Sequence, residues 1–447
     1  MESAGRFDRV VRAAVEQDVL GPGQPVAGFL DVPGLLGSVR DLFAAFEQVP
    51  VLHTFAAKAA ALVPVLRLLA DAGMGCEVAS PGEYAQAAAA GFDPGRIVFD
   101  SPAKTRAELA HALSLGSAVN ADNFAELDRI DALLATTPSA SALGLRINPQ
   151  VGAGSIGAMS TASRDSKFGV PLRDPGVRER VLAAFAARPW LTRLHVHVGS
   201  QGCPLELMAE GVRVVYDLAE EINRAAGRQQ VTGIDIGGGL PVNFSSDKTT
   251  PTFAEYAALL RERVPGLFDG RYTLVTEFGR ALIAKHGFTA ALVEYVKDAG
   301  GRRIAVTHAG AQVATRTVFM PESWPLRIQA FGPDGTRKQG PVIVQDVAGP
   351  CCFAGDMLAR GRELPELVPG DLVVLPDTGA YYFSTPWSYN SLPRPAVHGF
   401  TATTGTPRFT LIRKEQSMAE IVAESGGEHR DALVSLAAPD LARLERA

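Results

Sequence analysis

The sequence predicts a (β/α)8 TIM barrel followed by an all-β domain, and three observations predict it. Short apolar runs alternate with longer amphipathic or Ala-rich segments from Leu36 to Lys285, a span close to the ~250 residues usual for such a barrel. After Lys285 the rhythm changes to β-rich runs punctuated by Pro321, Pro325, Pro333, Pro341, Pro369 and Pro376. Finally, the first strand ends in Ala-Ala-Lys. An open doubly wound sheet would ordinarily place a Gly-rich dinucleotide turn there.

The first 35 residues are ambiguous, but Val26–Val32 reads as a strand lent to the β domain. Barrel strands are expected at Val51–Ala57, Met74–Val78, Ile97–Asp100, Ser117–Asn120, Ala142–Asn148, Thr192–Val198, Val231–Ile236 and Tyr272–Glu277. Helices fall between them, among them Leu62–Ala72, Lys104–Ser114, Phe124–Ala135 and Leu205–Ala226. The first carries Leu62, Val65, Leu66 and Leu69 at helical spacing. The Gly/Ser/Ala-rich segment Val151–Ser166 follows a strand and is expected to be a loop at the active-site face. Strands of the second domain are expected at Leu292–Val296, Arg303–Val306, Val342–Val347, Asp371–Leu375 and Phe409–Arg413. The resulting division is residues 36–285 for the barrel, 1–35 plus 286–413 for the β domain and 414–447 for a helical tail.

Composition narrows the function. The chain has 447 residues, 47% hydrophobic and 20% charged, with a formal net charge of -5, so it can bury a large core and offers no basic tract to nucleic acid. No apolar stretch approaches the ~20 residues that span a bilayer, and no secretory signal is visible at the start. Four cysteines are too few for a disulfide framework and lack zinc-like spacing. A cytoplasmic protein is expected, with no membrane and no nucleic acid as partner.

In a barrel, residues at the C-terminal strand ends converge on one mouth. Here those ends are polar although the strands are apolar: Lys58, Glu77, Arg146 and Asn148, His195 to Ser200, Gly237 to Gly239, and Glu277 to Arg280. Lys58 lies among alanines that let a cofactor approach. Three successive glycines expose N–H groups able to cradle a phosphate, although such a triplet is more often a tight turn. His195 and His197 are taken to point to opposite faces of their strand, so that only one meets the mouth. They could suggest a metal, but no further His or Cys has suitable spacing, and no metal is expected. A carboxylate at Glu277, closing an apolar strand, needs a proton or a cation, and Arg280 could be that cation.

Taken together these segments resemble the fold-type III pyridoxal-phosphate decarboxylases, the group holding the diaminopimelate, ornithine and arginine decarboxylases. The matching stretches are FAAKAA around Lys58, GCEVASPGE from Gly75, LRINP from Leu145, KFG at Lys167, HVHVGSQ from His195, DIGGGLP from Asp235, EFGR from Glu277, GPCCFAGD from Gly349, and DTGAYYFS with YNSLPRP from Asp377. They run in family order, and the CEVASPGE and KFG wording leans toward the diaminopimelate branch.

The resemblance implies an alanine racemase-like barrel and a homodimer with shared active sites, releasing CO2 from an amino acid through a quinonoid intermediate. Lys58 would bind pyridoxal 5'-phosphate covalently, His197 would stack on its ring, Glu277 would hold the ring nitrogen and Glu77 would support the ring from behind. Ser200, Gly238, Gly239, Gly279 and Tyr381 would hold the phosphate, and Arg280 would reach the phosphate or the substrate. Cys352 would enter from a second subunit to supply the proton at Cα, Cys351 would be packing and Asp356 structural. Substrate would meet Arg280, Arg316, Met320, Phe353 and Tyr381.

Some positions depart from the family pattern. Phe353 stands where an acidic residue meets the substrate's distal amine. Met320 stands where Tyr is expected, four residues after Arg316 in what resembles a substrate-binding strand. Ala60 replaces an Asn and Phe278 a Pro. The cofactor apparatus is kept while the substrate end is altered. Two alternatives are weaker. A racemase or epimerase on this fold would present Arg rather than Glu277 to the ring nitrogen, and a non-catalytic regulatory homologue would have lost Lys58 or Cys352.

Overall fold

The computed structural model describes residues 3–437. Eight parallel strands close on themselves: Val51–Ala56, Gly75–Val78, Ile97–Phe99, Ala118–Ala121, Leu143–Asn148, Leu191–His195, Gly233–Asp235 and Thr273–Phe278. Closure places the last beside the first, with Leu274 opposite Val51 and Phe278 opposite Phe55. Helices cover the outside while side chains fill the inside, so both faces are dry, which is why the strands read as apolar runs.

The helices that follow start where the sequence supplies a cap. Ser80, Thr105, Asn123 and Thr252 each accept the backbone N–H of the residue three further on, and Thr105 and Thr252 complete reciprocal boxes with Glu108 and Glu255. The longest barrel helix, Leu205–Ala226, buries Met208, Val212, Val215, Leu218 and Ile222 along one stripe.

The second sheet is mixed. Its central strand, Gly287–Ala299, pairs antiparallel with Val26–Asp31, Leu372–Pro376 and Arg302–Thr307. Val26–Asp31 lies parallel to Ala396–Thr401, which pairs with Arg408–Arg413. On the other side Arg302–Thr307 lies parallel to Val342–Ala348, which pairs with Met357–Pro365. Gln329–Phe331 joins Leu372–Pro376.

Helices accompany this second sheet. Helix Ser3–Glu16 packs Phe7 on Phe288 at 5.0 Å and buries Val10, Val11 and Ala14 in the same cluster with Phe29 and Phe331. That i, i+3, i+4, i+7 spacing was present in the sequence. The stretch carrying Arg316, expected to be a strand, folds as helix Ala311–Phe319 with a kink at Ala314. Asp356 fixes its start by accepting the N–H groups of Ala311 at 2.6 Å and Cys351 at 2.7 Å. In the tail, Met418–Glu424 is helical and Arg394 binds Glu424 at 2.8 Å. Residues 438–447 of the expected helical tail lie outside the described residues. Among the described residues no helix is long and apolar enough to cross a membrane.

Candidate active site

Lys58 sits in a single 3-10 turn, Ala57–Ala59, that ends the first barrel strand. The turn is clamped from the second domain. Tyr381 donates its N–H to Ala59 O at 2.7 Å, and Ser384 Oγ donates to Lys58 O and Ala59 O at 3.0 and 3.1 Å. Tyr381 adopts a φ of 68°, a left-handed conformation that non-glycine residues seldom take. The Lys58 ammonium faces a cavity of about 220 Å³ and donates to Glu77 Oε2 at 2.6 Å. Removal from bulk water disfavours its charge, but Glu77, with Tyr381 and Glu277, outweighs this and raises its pKa. Burial pushes the Glu77 carboxyl up, to about 8, against the pull of Lys58.

Beneath the cavity runs a chain of buried charge. Glu277 Oε2 lies 3.5 Å from His195 Nε2 and 3.7 Å from His197 Nδ1. His195 Nδ1 lies 3.2 Å from Asp100 Oδ2, which Arg146 approaches at 3.7 Å. Burial opposes ionisation of Glu277, but His195, His197 and Lys58 reverse it and hold the carboxyl well below its usual range. Burial also opposes the His195 imidazolium, yet Asp100, Glu277 and Asp235 raise its pKa well above the ordinary value. His197, by contrast, is lowered by burial. Both histidines therefore meet Glu277, which corrects the expectation that they point apart. Residues two apart share a face of an extended chain. Donor atoms of His195, His197 and Glu277 lie within 4.8 Å of one another.

The glycines have steric reasons. Gly237 and Gly239 have φ of 65° and 91°, and a Cβ on Gly238 or Gly239 would collide with the backbone oxygens of Glu277 or Gly199. Gly238 donates its N–H to His197 Nδ1 at 3.3 Å. A Cβ on Gly279 would lie 2.8 Å from Ala59 Cβ, so glycine lets that strand end abut the lysine turn. The loop after the fifth strand lines the cavity through Ala158, Met159, Thr161 and Phe168. It is pinned by Thr161 and Ala162 N–H groups donating to Val198 O at 3.0 and 3.1 Å.

The cavity wall joins Lys58, His197, Ser200, Gly239, Glu277, Gly279, Arg280, Arg316 and Tyr381. Arg280 is 4% exposed, and burial lowers its pKa to about 10. Its guanidinium lies 4.4 Å from the Tyr381 ring, and that of Arg316 lies 4.3 Å from the same ring. Trp324, not singled out in the sequence, backs both cations at 4.7 and 5.1 Å. Asp100 was also missed, although it closes the expected strand Ile97–Asp100 as a polar residue after an apolar run.

Cys352, Phe353 and Met320 are not part of this wall. Cys352 is exposed, and its N–H donates to Asn390 Oδ1 at 2.7 Å. Phe353 stacks on Phe319 at 5.6 Å and meets Trp387 and Tyr389 edge-on at 5.7 and 5.4 Å. Met320, 42% exposed, follows Phe319. Cys351 is buried, and its thiol is pushed up to about 12 by burial and Asp356.

The wall suits pyridoxal 5'-phosphate. Glu277 Oε1 is buried without a hydrogen-bond donor among the described residues, as a carboxylate awaiting a protonated ring nitrogen should be. Ser200 and the glycine backbone offer polarity matched to a phosphate.

Residues 36–284 match the pyridoxal-binding domain of the pyridoxal-dependent decarboxylases. The diaminopimelate decarboxylase of Pseudomonas aeruginosa is 32% identical over 356 residues, 79% of this chain and 82% of that protein. That of Methanothermobacter thermautotrophicus is 32% identical over 350 residues, 76% and 78% of the two chains. The crystal structure of diaminopimelate decarboxylase from Helicobacter pylori, complexed with L-lysine, superposes with a TM-score of 0.79 at 26% identity, covering 90% of this chain and 97% of that one. With a lysine at the first strand end of a closed barrel and a match across more than half its length, this chain belongs to the pyridoxal-dependent decarboxylases and is a carboxy-lyase that works with pyridoxal 5'-phosphate.

Proposed function

We propose that the chain decarboxylates an α-amino acid whose distal end is acidic or acylated and carries no free amine. One observation carries this reading. Arg280 and Arg316 converge on one ring in the cavity wall, and Arg280 Nε and Arg316 Nη1 are buried with no hydrogen-bond acceptor among the described residues. Two cations held so close repel unless an anion joins them. Arg is well shaped to grip a carboxylate with two parallel hydrogen bonds. Phe353, in place of an acid, offers no acceptor to a distal ammonium, whose burial unpaired costs several kcal/mol.

When bound, pyridoxal phosphate supplies an electron sink for the pair left behind as CO2 departs. The chain's own residues do the rest. Lys58 binds the cofactor and His197 backs its ring. Glu277, held ionised, keeps a proton on the ring nitrogen. Ser200, Gly239, Gly279 and Tyr381 hold the phosphate end, which leaves Arg280 with Arg316 for the substrate. The engagement of the Gly238 N–H with His197 gives Gly238 a role in orienting that imidazole. Cys352, at an exposed turn, would reach the cavity of a second copy and deliver a proton to Cα.

The test is a ratio of kcat/KM values. Diaminopimelate, ornithine and lysine should all be poorer substrates than an amino acid with a distal carboxylate or acyl group. Phe353→Glu should shift the ratio toward diaminopimelate, since a buried polar partner discriminates more strongly than apolar contact. If diaminopimelate is the best substrate of the unmodified protein, the reading is wrong.

A further inference from the structure

Glu277 does not stand alone under the cavity. His195, fully buried, is wedged between two carboxylates from different strands, 3.2 Å from Asp100 Oδ2 and 3.5 Å from Glu277 Oε2. Arg146 reaches that same Asp100 oxygen from the fifth strand at 3.7 Å. Asp235 faces His195 from the seventh strand, where it accepts from Asn120 Nδ2 at 3.1 Å and from the Gly237 N–H at 3.0 Å. Arg193, two residues before His195 on the sixth strand, lies close enough to Asp235 to act on its charge. On the far side of Glu277 stand Lys58 and its partner Glu77.

These groups make the ionisation of Glu277 a collective matter. Asp100, Glu77 and Asp235 are acids crowded into the same dry barrel, and each opposes a negative charge on Glu277. Burial alone would protonate it. A neutral Glu277 would present a weaker acceptor to the ring nitrogen, and the charge-assisted bond would be lost.

We propose that His195 is a positioning residue for decarboxylation: an imidazolium braced by Asp100 that orients Glu277 and fixes it as an anion, and so sets the protonation of the cofactor's ring nitrogen without touching the cofactor. The proposal rests on the reading that Glu277 faces that nitrogen. The surrounding charges agree with it, since Asp100, Glu277 and Asp235 all favour the charged imidazole.

Two measurements test it. In the unmodified protein without cofactor, nitrogen NMR on labelled histidine should show at least one of the eight imidazoles protonated on both nitrogens at pH 8. If every ring is singly protonated there, the proposal is overturned. The second uses holoenzyme carrying pyridoxal phosphate labelled with 15N in the ring, and compares the parent with His195→Gln and Glu277→Gln. The ring nitrogen of the parent should stay protonated from pH 6 to 9, and that of both variants should lose its proton within the range. His195→Gln should also lower kcat by about tenfold or more while KM moves by less than about threefold, the split expected when transition-state stabilisation alone is lost. If Glu277→Gln leaves the ring nitrogen unchanged, the underlying reading of Glu277 fails. If Glu277→Gln moves it and His195→Gln does not, the role of His195 alone fails. Should His195→Gln not fold, the histidine measurement on the unmodified protein still decides.

Discussion

At the residue scale the site depends on which acids keep their protons. Glu277 is held below its ordinary value of 4.5, so it contributes stability above that value, and this is lost as pH falls through its lowered folded value. His195 behaves in the opposite sense. Its raised pKa supports the fold fully below the ordinary 6.5 and is withdrawn only as pH rises past the folded value. Urea unfolding followed from pH 6 to pH 3 should therefore show Glu277→Gln losing less stability with acid than the parent, and parallel curves would count against an ionised Glu277. Holoenzyme Glu277→Gln should keep its cofactor but lose at least ~2 kcal/mol of transition-state stabilisation, about 30-fold in kcat; an unchanged kcat would refute the electron-sink role. Borohydride reduction should fix the cofactor to the peptide containing Lys58, and label on another lysine would remove that assignment. Residues such as Lys58, Glu77 and Glu277 were legible because each is a polar side chain ending an apolar strand. His195 was misread on strand parity. Asp100 carried the same signal, closing the expected strand Ile97–Asp100, and was overlooked, whereas Trp324 gave none, since its importance comes from neighbours remote in sequence.

At the scale of elements, barrel strands and helices were readable because periodicity and caps agree, as in Leu205–Ala226 and the Thr105 and Thr252 boxes. The second sheet was harder. Met357–Pro365, Ala396–Thr401 and Gln329–Phe331 went unseen: Gly361 and the charges of Arg360, Arg362 and Glu363 interrupt the first, and the last is only three residues long. Helix Ala311–Phe319 was expected as a strand on the resemblance alone, and its chain order of Ala311, Val313, Ala314, Thr317 and Val318 buries one side of a kinked helix instead. What the sequence could not show at all is the clamp from Tyr381 and Ser384 onto the lysine turn. Ser384→Ala should weaken retention of pyridoxal phosphate by roughly fivefold, the worth of about 1 kcal/mol for a lost hydrogen bond. Equilibrium dialysis would show it, and unchanged retention would mean that the clamp does not position Lys58.

On the scale of the whole molecule, Cys352 and Phe353 point the proposal toward a pair of chains. They lie on an exposed turn of the second sheet's domain, beside an aromatic group of Phe319, Trp387 and Tyr389, and are absent from the wall around their own Lys58. Mixing inactive Lys58→Ala with inactive Cys352→Ala protomers should restore activity, since one site of each mixed dimer would be whole. No recovery after proven subunit exchange would contradict shared sites, and an active monomer would end the idea.

The placement of Val26–Asp31 between Gly287–Ala299 and Ala396–Thr401 has a consequence for biosynthesis. This strand is translated before the barrel, yet both its neighbours are translated after the entire barrel. The nascent chain thus carries an unpaired apolar strand through most of its synthesis, with two open edges available to any other extended segment. The lysine turn cannot be clamped until Tyr381 and Ser384 have been translated. Removing Val26–Asp31 would leave Ala396–Thr401 and Arg408–Arg413 without a template, a defect expressed hundreds of residues from the cut.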